Sequence, residues 1–172
     1  DGTHPSFETV SIMTALATVT TTVRVGCLVF SPGYRNPGLL AKAITTIDHV
    51  SGGRAEIGLG AGWHEPEYRA FGFDYPRPGI REDMLEETAQ IVRSMLRQEK
   101  TTFEGKHFQM KDAFNVPQPI QKEMRVWIGG GGETRTIPAA ARYADGCNLA
   151  YVAPEVYTHK IGILEAACDK IG

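Results

Sequence analysis

The stretch from Arg125 to Val152 reads RVWIGGGGETRTIPAAARYADGCNLAYV, and its order of residue types decides the fold. Arg125 to Ile128 is a short apolar run that suits a strand, and it stops at four consecutive glycines, Gly129 to Gly132. A helix follows, ending at Ala144. Pro138 has no N–H and is tolerated only in an opening turn, so this helix begins near Arg135 or Thr136. Glu133 and Thr134 are thereby left in the loop. Asp145-Gly146 then turns the chain into a second apolar run, Cys147 to Val152, and a helix begins at Pro154. Strand, helix, strand in that order is a βαβ unit, whose strands lie parallel with a right-handed crossover.

The same alternation extends upstream. Phe7 to Thr18 carries apolar residues at helical spacing, and Val23 to Phe30 (VRVGCLVF) is β-branched and apolar, as suits a strand buried on both faces. Asn36-Pro37 is an N-cap followed by a first helical residue. Leu40, Ala43, Ile44, Ile47 and Val50 form one stripe, and Ser51-Gly52-Gly53 closes the helix. Ala55 to Gly60 is the next strand. Trp63 to Gly79, with Pro66, Pro76 and Pro78, reads as irregular chain; Arg81 to Arg97 reads as a helix. Thr102 to Phe108 reads as a small hairpin about Glu104-Gly105. The result is an α/β chain with four parallel strands and one hairpin insertion. Four strands make either a small open doubly wound sheet or half of an eight-stranded barrel, since a whole barrel takes about 250 residues.

At 172 residues the chain is the size of one domain. Lys+Arg 18 against Asp+Glu 20 gives a net charge of −2, which offers nothing to a nucleic acid or an acidic membrane. No apolar run approaches the ~18 residues of a membrane span, and the start of the chain has no signal-peptide pattern. Cys27, Cys147 and Cys168 stand at unrelated spacings, which fits reduced thiols and a cytoplasmic location better than a disulfide framework.

Nineteen residues are glycine, and they concentrate where parallel strands end, the place where such folds bind ligands. Gly129 to Gly132 precede a helix directly, so their amides and the helix dipole form a candidate phosphate cradle. A tight turn alone needs fewer than four glycines. The hydroxyls of Thr134 and Thr136, the latter also a candidate N-cap, are further phosphate contacts, and Arg135 is either a charge for the phosphate or a solvated surface residue. Gly58-x-Gly60-x-Gly62 is out of step with a dinucleotide fingerprint, and Gly105-Lys106-His107 is not a Walker A sequence. Gly60 and Gly62 either let a flat ligand lie across the strand end or serve packing. His64-Glu65-Pro66-Glu67 lacks metal-site spacing, the other histidines (His4, His49, His107, His159) are scattered, and no G-x-S-x-G elbow occurs. No metal site is expected. Trp63 and His64, just past a strand end, are candidate substrate-facing residues.

These pieces together, with Ser51-Gly52-Gly53-Arg54, Gly58 to Trp63 followed by Glu67-Tyr68, TTFEGKHFQM (Thr101 to Met110), and Ala144-Asp145-Gly146, make the chain similar to the bacterial luciferase-like monooxygenase family. Within it the sequence most resembles the branch of coenzyme F420-dependent oxidoreductases, from about His4 to Gly172. The resemblance implies a TIM (β/α)8 barrel, of which residues 1–172 are a single central portion without the first and last strands. It also implies that the Cys27–Leu28 bond is a cis peptide backing the cofactor ring. Gly60, Ala61, Gly62 and Trp63 would lie beside ring and substrate, and Gly129 to Gly132 would hold the phosphate. Pro138 departs from the family pattern.

The expected activity is hydride transfer between coenzyme F420 and a small organic substrate, with His64 as a proton donor or acceptor and Trp63 beside it. An FMN-dependent monooxygenase of the same fold is the alternative. A catalytically inert barrel portion that associates through exposed strand edges is another. A homo-oligomer, at its simplest a dimer, is expected, with no nucleic-acid or membrane partner.

Overall fold

The computed structural model describes residues 5–172, so His4 lies outside the described residues. The chain runs α1 (Thr9–Val19), β1 (Val25–Phe30), α2 (Pro37–Ser51), β2 (Ala55–Leu59), α3 (Glu65–Ala70) and α4 (Pro78–Met95). It continues through β3 (Lys100–Glu104), β4 (Gln109–Phe114), β5 (Val126–Gly129), α5 (Thr136–Tyr143), β6 (Gly146–Asn148) and α6 (Pro154–Asp169). Four strands form one parallel sheet in the order β1-β2-β5-β6, and β3 and β4 pair antiparallel as the insertion.

Local chemistry sets the element ends. Asn36 Oδ1 accepts from the amides of Gly38 (2.9 Å) and Leu39 (3.2 Å), with Pro37 at the first helical position. Gly52 closes α2 in the left-handed region at φ 66°, where a side chain is strained. Between the helices and the sheet lies one apolar core. Leu40, Ile44 and Ile47 of α2 meet Ile57 and Leu59 of β2, Ile128 of β5 and Leu85, Ile91 and Val92 of α4, all essentially inaccessible to solvent.

Below the sheet, at the amino ends of its strands, Arg54 gathers backbone from three segments. Its guanidinium donates to the carbonyls of Ala17 (3.0 Å), Thr20 (2.8 Å), Val23 (2.6 Å) and Ser51 (2.7 Å). The C-terminal end of α1 is thereby joined to the approach to β1 and the end of α2.

Several boundaries differ from the sequence reading. The segment from Trp63 to Gly79 is not wholly irregular: Pro66 sits in the first turn of α3, where its missing N–H has no intrahelical partner to lose. Pro78 does the same for α4, which therefore starts three residues before Arg81. The hairpin is longer than Thr102–Phe108, because its loop is docked from outside. Glu87 of α4 accepts from the amides of Lys106 (2.8 Å), His107 (3.0 Å) and Phe108 (2.8 Å), leaving both strands free to extend. Strand β6 is cut short at Asn148, and Tyr151 follows at a φ of 54°.

Candidate active site

At the carboxyl ends of the four parallel strands lies a cavity of about 620 Å³. Its floor is Leu28-Val29 of β1 and Gly60-Ala61-Gly62 after β2; one side is the loop Gly129–Gly132 with Thr136. Trp63, His64 and Glu67 line it from α3 and its approach, Glu82 from α4, and Asn148 and Tyr151 from the end of β6. The two glycine clusters and the ring-backing segment anticipated from sequence therefore open into one space.

The cis peptide is Leu28–Val29, one residue beyond the expected Cys27–Leu28. The strand pairing is irregular over this interval. Cys27 pairs with Ile57 and Phe30 with Leu59, so β1 carries one extra residue between them, and the irregular peptide falls inside that bulge. Cys27 does not line the cavity. It packs half-buried against the core, where burial pushes its thiol up to about 11.

The glycines at the strand ends make room for β1: Gly58 for Cys27 O and Leu28 first, and Gly60 and Gly129 for Val29. A Cβ at Gly58 would come 3.2 Å from Val29 Cγ1 and one at Gly129 would come 2.6 Å from it, while one at Gly60 would overlap Cγ2. The face bared by Gly60 is thus filled by Val29, which presents its own methyl groups as the floor. Gly62, at φ 77°, yields its space to the Tyr68 hydroxyl and Ser31 Oγ, which hydrogen-bond to each other.

The loop Gly129–Gly132 is shaped from below by Thr136. A Cβ at Gly130, whose φ is 135°, would come 2.9 Å from the Thr136 methyl, and one at Gly132 would come 2.6 Å from its Oγ1. The Gly130 amide is engaged with Asn148 O at 3.0 Å, whereas those of Gly131 and Gly132 have no hydrogen-bond partner among the described residues. Thr136 is the first helical residue of α5 rather than its N-cap, and its hydroxyl donates to Glu82 Oε1 at 2.8 Å. The anticipated phosphate contact Thr134 faces away, lining with Glu133 a separate hollow between α5 and α6. Arg135 stays partly exposed to solvent, as a surface arginine would, and bonds Asp83 (2.6 Å) and Glu86 (2.8 Å) of α4 rather than lining the cavity. Behind the loop, Lys160 donates to Gly131 O at 2.6 Å and pairs with Glu133 at 3.0 Å, which holds the Glu133 carboxyl below its usual range.

The opposite wall is aromatic. Tyr68 is fully buried, with the Tyr34 ring 4.1 Å from it and the Tyr75 ring 5.1 Å away. Tyr34 donates to Glu67 Oε2 at 3.0 Å; burial first, then this carboxylate, raises its phenol well above the ordinary value. Trp63 is largely exposed and stands edge-on to His64, and its carbonyl accepts from the Tyr75 hydroxyl at 2.9 Å. Neither Tyr34 nor Glu82 stands out in the sequence, and Glu67 does so only as part of a motif. Their places come from contacts between distant segments, which no local pattern announces. Among the described residues no group of three or more His, Cys, Asp and Glu could hold a metal ion.

A cavity at the carboxyl rim of a parallel α/β sheet, with one wall of glycine amides and another of aromatic rings, lies where folds of this class bind their ligands. The whole chain, residues 1–172, matches the luciferase-like monooxygenase family, and the protein belongs to it. It is similar to pyrimidine monooxygenase RutA of Stutzerimonas stutzeri, 32% identical over 177 residues, covering 97% of this chain and 47% of that protein. It is also similar to an F420-dependent glucose-6-phosphate dehydrogenase of Microbacterium testaceum, 31% identical over 153 residues, covering 86% of this chain and 44% of that one. Among solved structures, the coenzyme F420-dependent tetrahydromethanopterin reductase of Methanopyrus kandleri superposes with a TM-score of 0.85 at 22% identity, over 96% of this chain and 50% of that one. The chain spans about half the length of the curated relatives it matches, and its four parallel strands correspond to part of the luciferase-like TIM barrel.

Proposed function

We propose that this protein is an oxidoreductase that moves a hydride between coenzyme F420 and a small organic substrate. One observation carries the reading: Leu28-Val29 and Gly129–Gly132 line the same cavity, so a ring and its phosphate tail can be held at once. The residues suit such a group. The loop offers free amides at Gly131 and Gly132 to an anion, and Val29 offers a flat apolar floor. When bound, a deazaflavin supplies the hydride chemistry. The chain's own task is to fix the ring against the Val29 methyls, to keep water from the reacting face, and to place His64 where it can hold or release a proton. Trp63 shields the outer side. Glu67, bonded to Tyr34, is a second proton-holding group on the same wall.

The second reading, an FMN-dependent monooxygenase, is supported by the likeness to a pyrimidine monooxygenase over nearly the whole chain. Titration of the full-length protein with F420 and with FMN, followed by ring absorbance, separates the two. Micromolar saturation by F420 with none by FMN is the expected result. Saturation by FMN alone overturns the deazaflavin assignment.

A further inference from the structure

We infer that Lys160 of α6 is a positioning residue for phosphate binding: by holding the Gly131 carbonyl behind the glycine loop, it turns the Gly132 amide toward the cavity. The inference rests on the cofactor reading above and adds to it a residue outside the cavity wall. Four successive glycines leave the peptide planes of the loop free to rotate, since no Cβ resists it. A contact from outside the loop must therefore choose which edge of each plane meets a ligand. An anion is drawn to the N–H edge and repelled by the carbonyl edge.

Two carbonyls of the loop are tied down from behind. Lys160 Nζ donates to Gly131 O at 2.6 Å, and the amide of Ile137, in the first turn of α5, donates to Gly132 O at 2.9 Å. In a trans peptide the carbonyl and the following N–H leave opposite edges of one plane, so each tie aims the next amide the other way. Gly131 and Gly132 line the cavity and Lys160 does not. The cavity is thus the side to which the Gly132 N–H is turned. The tie on Gly132 O belongs to the backbone of α5, whereas the tie on Gly131 O depends on one side chain.

Lys160 is seated for this task. Its side chain is only 14% exposed, and a Cβ at Gly131 would come 3.3 Å from Lys160 Cε and 3.5 Å from Nζ, so the lysine stem lies against the loop. Glu133 pairs with the same ammonium at 3.0 Å, and His159 faces that carboxylate. Because Glu133 balances its charge, Lys160 gives the loop a direction more than a net charge. Without the ammonium, the Gly131–Gly132 plane is free to turn over and present its oxygen to the phosphate.

Two measurements on the full-length protein test this. Lys160→Met keeps the apolar stem and loses the donor, while Lys160→Arg keeps a donor. The rings are coenzyme F420 and its phosphate-free deazaflavin, or FMN and riboflavin if the titration above selects FMN. The methionine variant binds the phosphate-bearing ring about tenfold more weakly and the phosphate-free ring within a factor of about three of the wild type. That contrast persists in about 0.5 M salt, where a mere point charge is screened beyond about 4 Å. The arginine variant restores binding. In ligand-free protein carrying nitrogen-15 glycine, the Gly132 amide resonance moves in the methionine variant and returns in the arginine variant. Should the methionine variant not fold, Lys160→Ala takes its place. An equal loss for both rings, no loss, or an unmoved Gly132 resonance overturns this inference and leaves the cofactor reading standing. A wild type that binds phosphate-free rings as tightly as their phosphates, or binds no ring, overturns the cradle and this inference with it.

Discussion

Val29 covers the bare Cα of Gly60, so tightly that a Cβ at Gly60 would overlap its Cγ2. The floor of the cavity is therefore a joint product of two neighbouring strands. Gly60→Ala is expected to push Val29 into the cavity and to cost about 1–3 kcal/mol of stability by overpacking. Ring binding weakens by more than the loss of stability alone explains. Denaturant unfolding beside an absorbance titration checks this, and an alanine variant with wild-type ring affinity would refute it.

His64 stands on the cavity wall with a ring that can carry a proton. In the full-length enzyme, His64→Ala lowers turnover at least tenfold while cofactor affinity stays within a factor of three. Unchanged turnover removes His64 from the proton pathway and passes the role to Glu67.

Glu87 ties the hairpin to α4 through three backbone amides. Hydrogen bonds to an ionised group are worth more than neutral ones, so Glu87→Ala should destabilise the protein by about 2 kcal/mol or more. Amide exchange would show the loss first at Lys106 to Phe108. Equal protection in the variant would mean the hairpin holds its place without the carboxylate.

Arg135, first, and then His107 and Lys106 hold the Asp83 carboxyl below the usual aspartate range. A carboxylate whose folded pKa is depressed stabilises the fold above its unfolded pKa, near 4. That contribution is lost as pH falls through the lower folded value. The wild type should therefore lose stability more steeply than Asp83→Asn between pH 5 and 3, as urea unfolding at a series of pH values would record. Parallel curves would show the pair to be energetically silent.

Cys27 is half-buried and its thiol is raised to about 11, while Cys168 is exposed on α6. At pH 8 iodoacetamide should label Cys168 within minutes and leave Cys27 intact until the protein is denatured. Peptide mass spectrometry distinguishes the two sites, and early labelling of Cys27 would show that β1 opens readily.

The sequence announces those features that are local. Asn36-Pro37 and Gly52 mark the ends of α2 because capping acts over three or four residues, and the glycine runs mark strand ends because a missing side chain is visible in the letters themselves. What the glycines make room for is not visible. Gly60 and Gly129 are far apart in the chain and share one neighbour, Val29, only after β1, β2 and β5 are aligned. Thr134 and Thr136 look equivalent as candidates, and they separate because α5 begins between them: Thr136 opens the helix beneath the loop, while Thr134 stays in the connecting turn and lines the hollow on the other side. Pro66 reads as a helix breaker, yet in a first turn it breaks nothing. Glu82 is one acid among several in Glu82-Asp83-Met84-Leu85-Glu86-Glu87, and its meeting with Thr136 across 54 residues leaves no trace in spacing.

Arg54 lies at the other pole of the sheet from all of this. One planar cation there clasps four carbonyls from three segments, a task for which lysine's single ammonium has too few directions. The keel of the molecule is thus fastened independently of its rim. A change in the loops at the rim therefore leaves the four carbonyls of the keel clasped as before.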